Sequence, residues 1–190
     1  MKLTRERVIE EARALINEEG LDALTTRQLG ARLNVKGPSL YKHVGSKQEI
    51  IDSLGKTFFT GNSEPGPDDT WQSWLTERAV LTRKAILSCR AGARIVAMAR
   101  PNLSGAGKLD RLLEPLLVAG FDRQEAILSS HLVGRLVIGW TLSEQEHGGQ
   151  IPPASESIDP EAAFMFAVNS LIAGLEMQLI AKNMAKAQRS

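Results

Sequence analysis

Thr26, Arg27, Lys36, Ser39, Tyr41, Lys42, His43 and Lys47 all fall within residues 26–47, together with the pair Gly37-Pro38. Lysine and arginine attract phosphate oxygens, while hydroxyl and imidazole groups add shorter-range hydrogen bonds. The charge pattern sharpens this reading. Between Asp22 and Glu49 there is no acidic residue, yet Arg27, Arg32, Lys36, Lys42 and Lys47 lie there, leaving 18 basic against 22 acidic residues in the rest of the chain. Formal net charge is only +1, so the composition as a whole gives no hint of a polyanionic partner, whereas this one island does.

A run of five cations on its own is as readily a solvated surface. The local punctuation argues against that. Thr4 can cap a first helix, with Leu3 and Val8 at the two positions of a hydrophobic staple, and Val8, Ile9, Ala12, Leu15 and Ile16 trace its apolar face. Gly20 stands where a left-handed residue would end it. Thr25 with Gln28 forms a capping box for a short second helix through Leu33, after which Asn34 can supply a left-handed turn. Gly37-Pro38 then opens a third helix, with proline at the first position, where its missing N–H costs nothing. Ser46 with Glu49 opens a fourth, with Ile50, Ile51, Leu54 and Phe58 inside.

Short helix, tight turn and short helix over residues 25–43 make a helix-turn-helix pattern. The start of the second helix of such a pair enters the major groove. The stub of Gly37-Pro38, Ser39 and Lys42 are placed for base edges. Thr26, Lys36, Tyr41, His43 and Lys47 are placed for phosphates, and Arg27 for phosphate or guanine.

The rest of the composition bounds the class. With 43% hydrophobic and 5% aromatic residues, an all-α globular chain is expected. Cys89 is the sole cysteine, so neither an internal disulfide nor a cysteine-based zinc site can form. The charged start is unlike a secretory signal, and no uninterrupted apolar run approaches the roughly 18 residues of a membrane span. A cytoplasmic protein with no membrane partner is expected. No Ser-His-Asp, paired-carboxylate, phosphate-loop or metal spacing is credible, so neither an enzyme nor a cofactor is expected.

Beyond the breaker-rich stretch 61–69 the periodicity predicts helices at about 69–90, 92–99, 105–119, 122–147 and 160–186. Asp122 with Glu125, and Asp159 before Pro160, cap the last two. The final helix is apolar on more than one face through Phe164, Phe166, Val168, Leu171, Ile172, Leu175, Leu179 and Ile180. Its neighbour carries Leu128, Leu132, Val133, Leu136, Val137 and Ile138. Either these stripes form an internal core, or two copies of the pair make a four-helix bundle that holds a homodimer; the second is the expectation, through 122–147 and 160–186. His131 and Trp140 are expected in the core.

The segment LTTRQLGARLNVKGPSLYKHVGSKQEIIDSL resembles the DNA-binding domain of the tetracycline repressor family. The similarity continues through ILSCRAG at 86–92, Arg100-Pro101, Gly120-Phe121, Val133-Gly134, Gln145-Glu146-His147 and Gly174-Leu175-Glu176, covering nearly the whole chain. It implies a three-helix DNA-binding domain at 1–46, a connecting helix at 47–60 and a helical ligand-binding and dimerisation domain at 61–190. It also implies a transcription regulator, most simply a repressor on palindromic double-stranded operator DNA, released by a small-molecule effector.

The departures from that family bear on the effector. Val96 and Ser143 stand where the resemblance would put the histidine and glutamate that grip a magnesium–drug chelate, and neither suits that ion. Ser63, Arg78, Thr82 and Leu112 match its drug-contacting positions, and only Arg100-Pro101 is retained. Val96, Leu109, Leu112 and Leu113 would line a more apolar cavity, with Arg78 and Arg100 as partners for an acidic or carbonyl group. An apolar or acidic effector other than tetracycline with magnesium follows. The alternative is a constitutive or partner-controlled regulator with no small-molecule inducer.

Overall fold

The computed structural model describes residues 3–59, 64–100, 106–148 and 158–188, excluding the side chains of 37–39, 41 and 106–108. Among the described residues it is all helical: α1 (Arg5–Glu19), α2 (Thr26–Arg32), α3 (Gly37–Val44), α4 (Lys47–Thr57), α5 (Trp71–Leu87), α6 (Gly92–Met98), α7 (Ala106–Ala119), α8 (Arg123–Glu146) and α9 (Pro160–Ala187). They form two compact units, one of Met1–Gly61 with Thr82–Asn102 and one of Asn62–Leu81 with Leu103–Ser190.

In the first unit α1 packs on α2, α3 and α4. Val8, Ala12, Leu15 and Ile16 meet Leu24, Leu29, Leu40, Ile50, Leu54 and Phe58 in a core from which water is excluded. The caps lie where the spacing places them: Thr4 accepts from the Arg7 N–H, Thr25 from Gln28 and Ser46 from Glu49. Gly20 ends α1 differently from expectation. Its φ of 91° is positive, as glycine allows, but its ψ of 169° lies outside the left-handed helical basin. The segment 82–102 joins this unit through specific bonds: Arg13 donates to the Ser88 hydroxyl at 2.6 Å, and the Arg90 N–H to Asn17 Oδ1 at 2.9 Å.

In the second unit α8 packs on α7 and α9. Asp122 and Glu125 form a complete capping box at the start of α8, and Lys182 of α9 bonds to Glu125 and lies 3.5 Å from Asp122. Asp122 is held below the usual carboxylate range, first by the Glu125 backbone N–H. Inner and outer faces separate cleanly on the two long helices. Ala126, Val133 and Val137 of α8 and Phe164, Val168 and Ile172 of α9 are buried. Leu128 and Leu132 on α8, and Phe166 and Met177 on α9, are exposed, Leu128 at 58% and Phe166 at 75%. Trp140 is half-buried and meets Phe164 edge-on at 6.0 Å, whereas His131, expected in the core, is exposed.

Two helices pass a span test that the count of apolar runs did not register. α8 and α9 are long and apolar enough to cross a membrane by length and composition, with mean hydropathy of 1.2 and 1.5 over their best windows. Counting uninterrupted apolar runs missed this, because scattered small and polar residues break the runs without lowering the average. The core helix of a globular protein passes the same test.

Candidate nucleic-acid interface

The turn between α2 and α3 is built from Gly30, Asn34 and Val35. Asn34 has φ of 53°, in the left-handed region, as its position predicts. The Val35 N–H reaches back to the Gly30 carbonyl at 2.9 Å. A Cβ on Gly30 would stand 3.0 Å from the Val35 carbonyl oxygen, so a side chain there would press on the turn and its backbone would have to give by a few tenths of an ångström. Sequence reasoning passed over Gly30, although a glycine inside a seven-residue helix is a usable signal of close approach.

Leu40 and Val44 anchor α3 in the core. Lys42 is exposed and His43 half-buried in its last turn; the side chains of Gly37, Pro38, Ser39 and Tyr41 lie outside the described set. Thr26 is half-buried and Arg27 exposed in the first turn of α2, Lys36 is exposed just before α3, and Lys47 is exposed as the first residue of α4. Arg27, Lys36, Lys42 and Lys47 pair with no carboxylate among the described residues, leaving each free for a phosphate.

Arg32 behaves otherwise. Its guanidinium lies 2.6 Å from Glu11, 2.6 Å from Glu18 and 3.6 Å from Glu19, all on α1. Those bonds raise its pKa above the ordinary arginine value, Glu18 contributing first. The island read from sequence therefore divides: one cation ties α2 to α1 and four face outward.

α4 is clasped to α6. Gln48 donates its amide to the Met98 carbonyl at 3.0 Å and to Asp52 Oδ1 at 2.8 Å, and the Arg100 backbone N–H donates to the same oxygen at 2.8 Å. These two donors, Arg100 first, hold the Asp52 carboxyl below its ordinary range. A Cβ on Gly55 would stand 2.4 Å from Ala99 Cβ, so the helices meet where both have almost no side chain. Gln48, Asp52 and Gly55 were not singled out from sequence, and the only signal was a glycine inside an amphipathic helix.

The residues matched to an effector site divide between the units. Thr82 and Val96 are buried and Arg100 exposed in the first; Pro101 lies outside the described residues. In the second, Leu113 is buried and Arg78, Leu109 and Leu112 are half-buried. Trp74 donates its indole N–H to the Leu112 carbonyl at 3.1 Å, and the Arg78 guanidinium lies 5.1 Å from the Trp74 ring centre. A groove of about 680 Å³ in the second unit is lined by Pro65, Trp71, Glu114, Pro115 and Val118 among others, and by none of the residues matched to the effector site.

Two short helices closed by a left-handed turn, bordered by outward cations and joined to a helical unit, define a helix-turn-helix DNA-binding regulator. Comparison with known proteins gives the family. Residues 8–54 match the bacterial regulatory proteins of the tetR family, and residues 64–152 the tetracyclin repressor-like C-terminal domain. The class A tetracycline repressor from transposon 1721 of Escherichia coli is 35% identical over 96% of this chain and 95% of its own length. Among solved structures, TetR from Acinetobacter baumannii AYE aligns with a TM-score of 0.82 at 34% identity, covering 93% of this chain and 98% of that one. ActR from Streptomyces coelicolor, in complex with (S)-DNPA, aligns at 0.79 with 27% identity, covering 94% and 100%. The chain belongs to the tetR family of transcription regulators.

Proposed function

We propose that the protein is a ligand-responsive repressor that occupies a palindromic operator as a homodimer. The observation that carries this is the set of four outward cations, Arg27, Lys36, Lys42 and Lys47, unpaired among the described residues and set around a helix pair closed at Asn34. Residues 1–46 read DNA, 47–60 connect, and 61–190 bind the effector and dimerise. The two copies of α3 enter successive major grooves roughly 34–36 Å apart. In that reading the exposed faces of α8 and α9 pack on the same faces of a second copy, which accounts for apolar side chains that a monomer would leave in water.

The effector is a small apolar or acidic molecule. One family structure holds the class A repressor with 5a,6-anhydrotetracycline and magnesium. For this chain the matched positions do not suit magnesium: Val96 is a buried hydrocarbon and Ser143 an exposed hydroxyl, whereas the ion needs hard, well-placed oxygens. Effector binding acts through its preference for the form that cannot span the operator, and the Gln48–Asp52–Arg100 clasp couples α4 to the end of α6.

Footprinting of the DNA upstream of the protein's own gene and its neighbour tests the reading. A protected, two-fold symmetric site is expected. On that site Lys47→Ala weakens binding to every sequence and lowers the salt slope by about 0.9, while Lys42→Ala also alters sequence preference. Equal affinity for all duplexes, or variants indistinguishable from the parent, would remove the basis of the assignment.

A further inference from the structure

Arg78 and Trp74 lie four residues apart on α5, so they share one face of the helix. Trp74 is only 1% exposed, and its ring is fixed by the bond from its N–H to the Leu112 carbonyl. The Arg78 guanidinium rests against that ring, 5.1 Å from its centre. No carboxylate pairs with Arg78 among the described residues, and desolvation by burial pushes its pKa down with no opposing anion. The contrast with Arg32, which has three carboxylates within 4 Å on an open surface, is direct.

Burial strips hydration from this cation, and the indole beneath it offsets only part of that loss, so an anion would complete the site. The guanidinium carries up to five N–H donors in a planar fork that fits a carboxylate, and no carboxylate among the described residues takes them. The bond from Trp74 to the Leu112 carbonyl ties this face of α5 to the leucine-bearing α7.

We propose that Arg78, laid on Trp74, reads the charge of the effector, so that the ligand is a carboxylic acid with an apolar body rather than a neutral molecule. This rests on the reading of the protein as a ligand-responsive repressor.

Two matched pairs of probes test it on the full-length protein: decanoate with decan-1-ol, and 2-naphthylacetate with 2-naphthylethanol, by titration calorimetry and thermal stabilisation. The expected result is at least one acid bound tenfold or more tighter than its alcohol, with the preference falling below about threefold in Arg78→Met. Arg78→Met without ligand should leave Tm unchanged or raise it by about 1–2 °C, since it removes a desolvated charge and breaks no ion pair. A preference that persists in Arg78→Met, no preference in either pair, no acid bound at millimolar concentration, or a Tm fall of about 5 °C or more overturns the proposal. Operator binding measured on the same samples separates the two levels. If the unliganded wild type fails to bind its operator, the repressor reading itself has failed.

Discussion

Replacing Gly55 by alanine probes the close approach of α4 to α6. The added Cβ would stand 2.4 Å from Ala99 Cβ, against an ordinary carbon–carbon contact of about 3.5–4.0 Å, so α4 and α6 must separate by roughly 1 Å or more. Alanine in a helix interior contributes up to about 1 kcal/mol relative to glycine, and overpacking of this kind costs about 1–3 kcal/mol. The net expectation for Gly55→Ala is a loss of about 0–2 kcal/mol, where propensity alone would give a gain. Ala99→Gly removes the obstructing carbon, and the remaining neighbours of the new Cβ are 4.0 Å away, in ordinary contact. The double variant should therefore recover, with a coupling energy of about 1–3 kcal/mol. Urea unfolding followed by circular dichroism at one fixed protein concentration measures all four corners of the cycle. Operator affinity, read by fluorescence anisotropy, should fall several-fold in the single Gly55 variant and return in the double. A single variant more stable than the parent by about 1 kcal/mol, with no coupling to Ala99, would refute the close packing and with it the tight clasp between α4 and α6.

Three further outcomes are expected. Asp52 has a folded pKa below its reference value of 3.8, so its contribution is fully present above pH 3.8 and disappears as pH falls through the folded value. Asp52→Asn should cost about 1 kcal/mol at pH 7, and that deficit should shrink in acid denaturation and vanish once the pH lies below the folded pKa. Arg32→Ala should lower thermal stability yet leave the salt slope of DNA binding unchanged, because its charge is already matched by Glu11 and Glu18; a slope reduced as by Lys47→Ala would place Arg32 on the DNA. Phe166→Glu, at a side chain 75% exposed, should keep the helical dichroism and convert dimer to monomer in sedimentation; an unchanged dimer would move the interface elsewhere.

The local grammar of the fold was legible in the order of residues because each cap is a bond between near neighbours in the chain. Thr4 to Arg7, Thr25 to Gln28, Ser46 to Glu49 and Asp122 to Glu125 each span three residues, so spacing alone locates them. The left-handed turn at Asn34 belongs with them, since it depends on that residue's own backbone tolerance. The family motif and the outward cations of the reading pair were legible in the same way.

What the linear order could not show depends on partners many residues away. Arg32 counts as one more cation in the island until α1 brings Glu11 and Glu18 against it. Asp52 is an ordinary helix residue until Arg100, 48 positions later, donates its backbone N–H. Likewise, composition makes α8 and α9 apolar on more than one face, but only their packing turns Val133 and Phe164 inward and leaves Leu128, His131 and Phe166 outside. Sequence determined where helices begin, end and carry charge, because those interactions are short-ranged. Tertiary structure decided which charges are paired and which faces remain open, because each is settled by what another helix places against it.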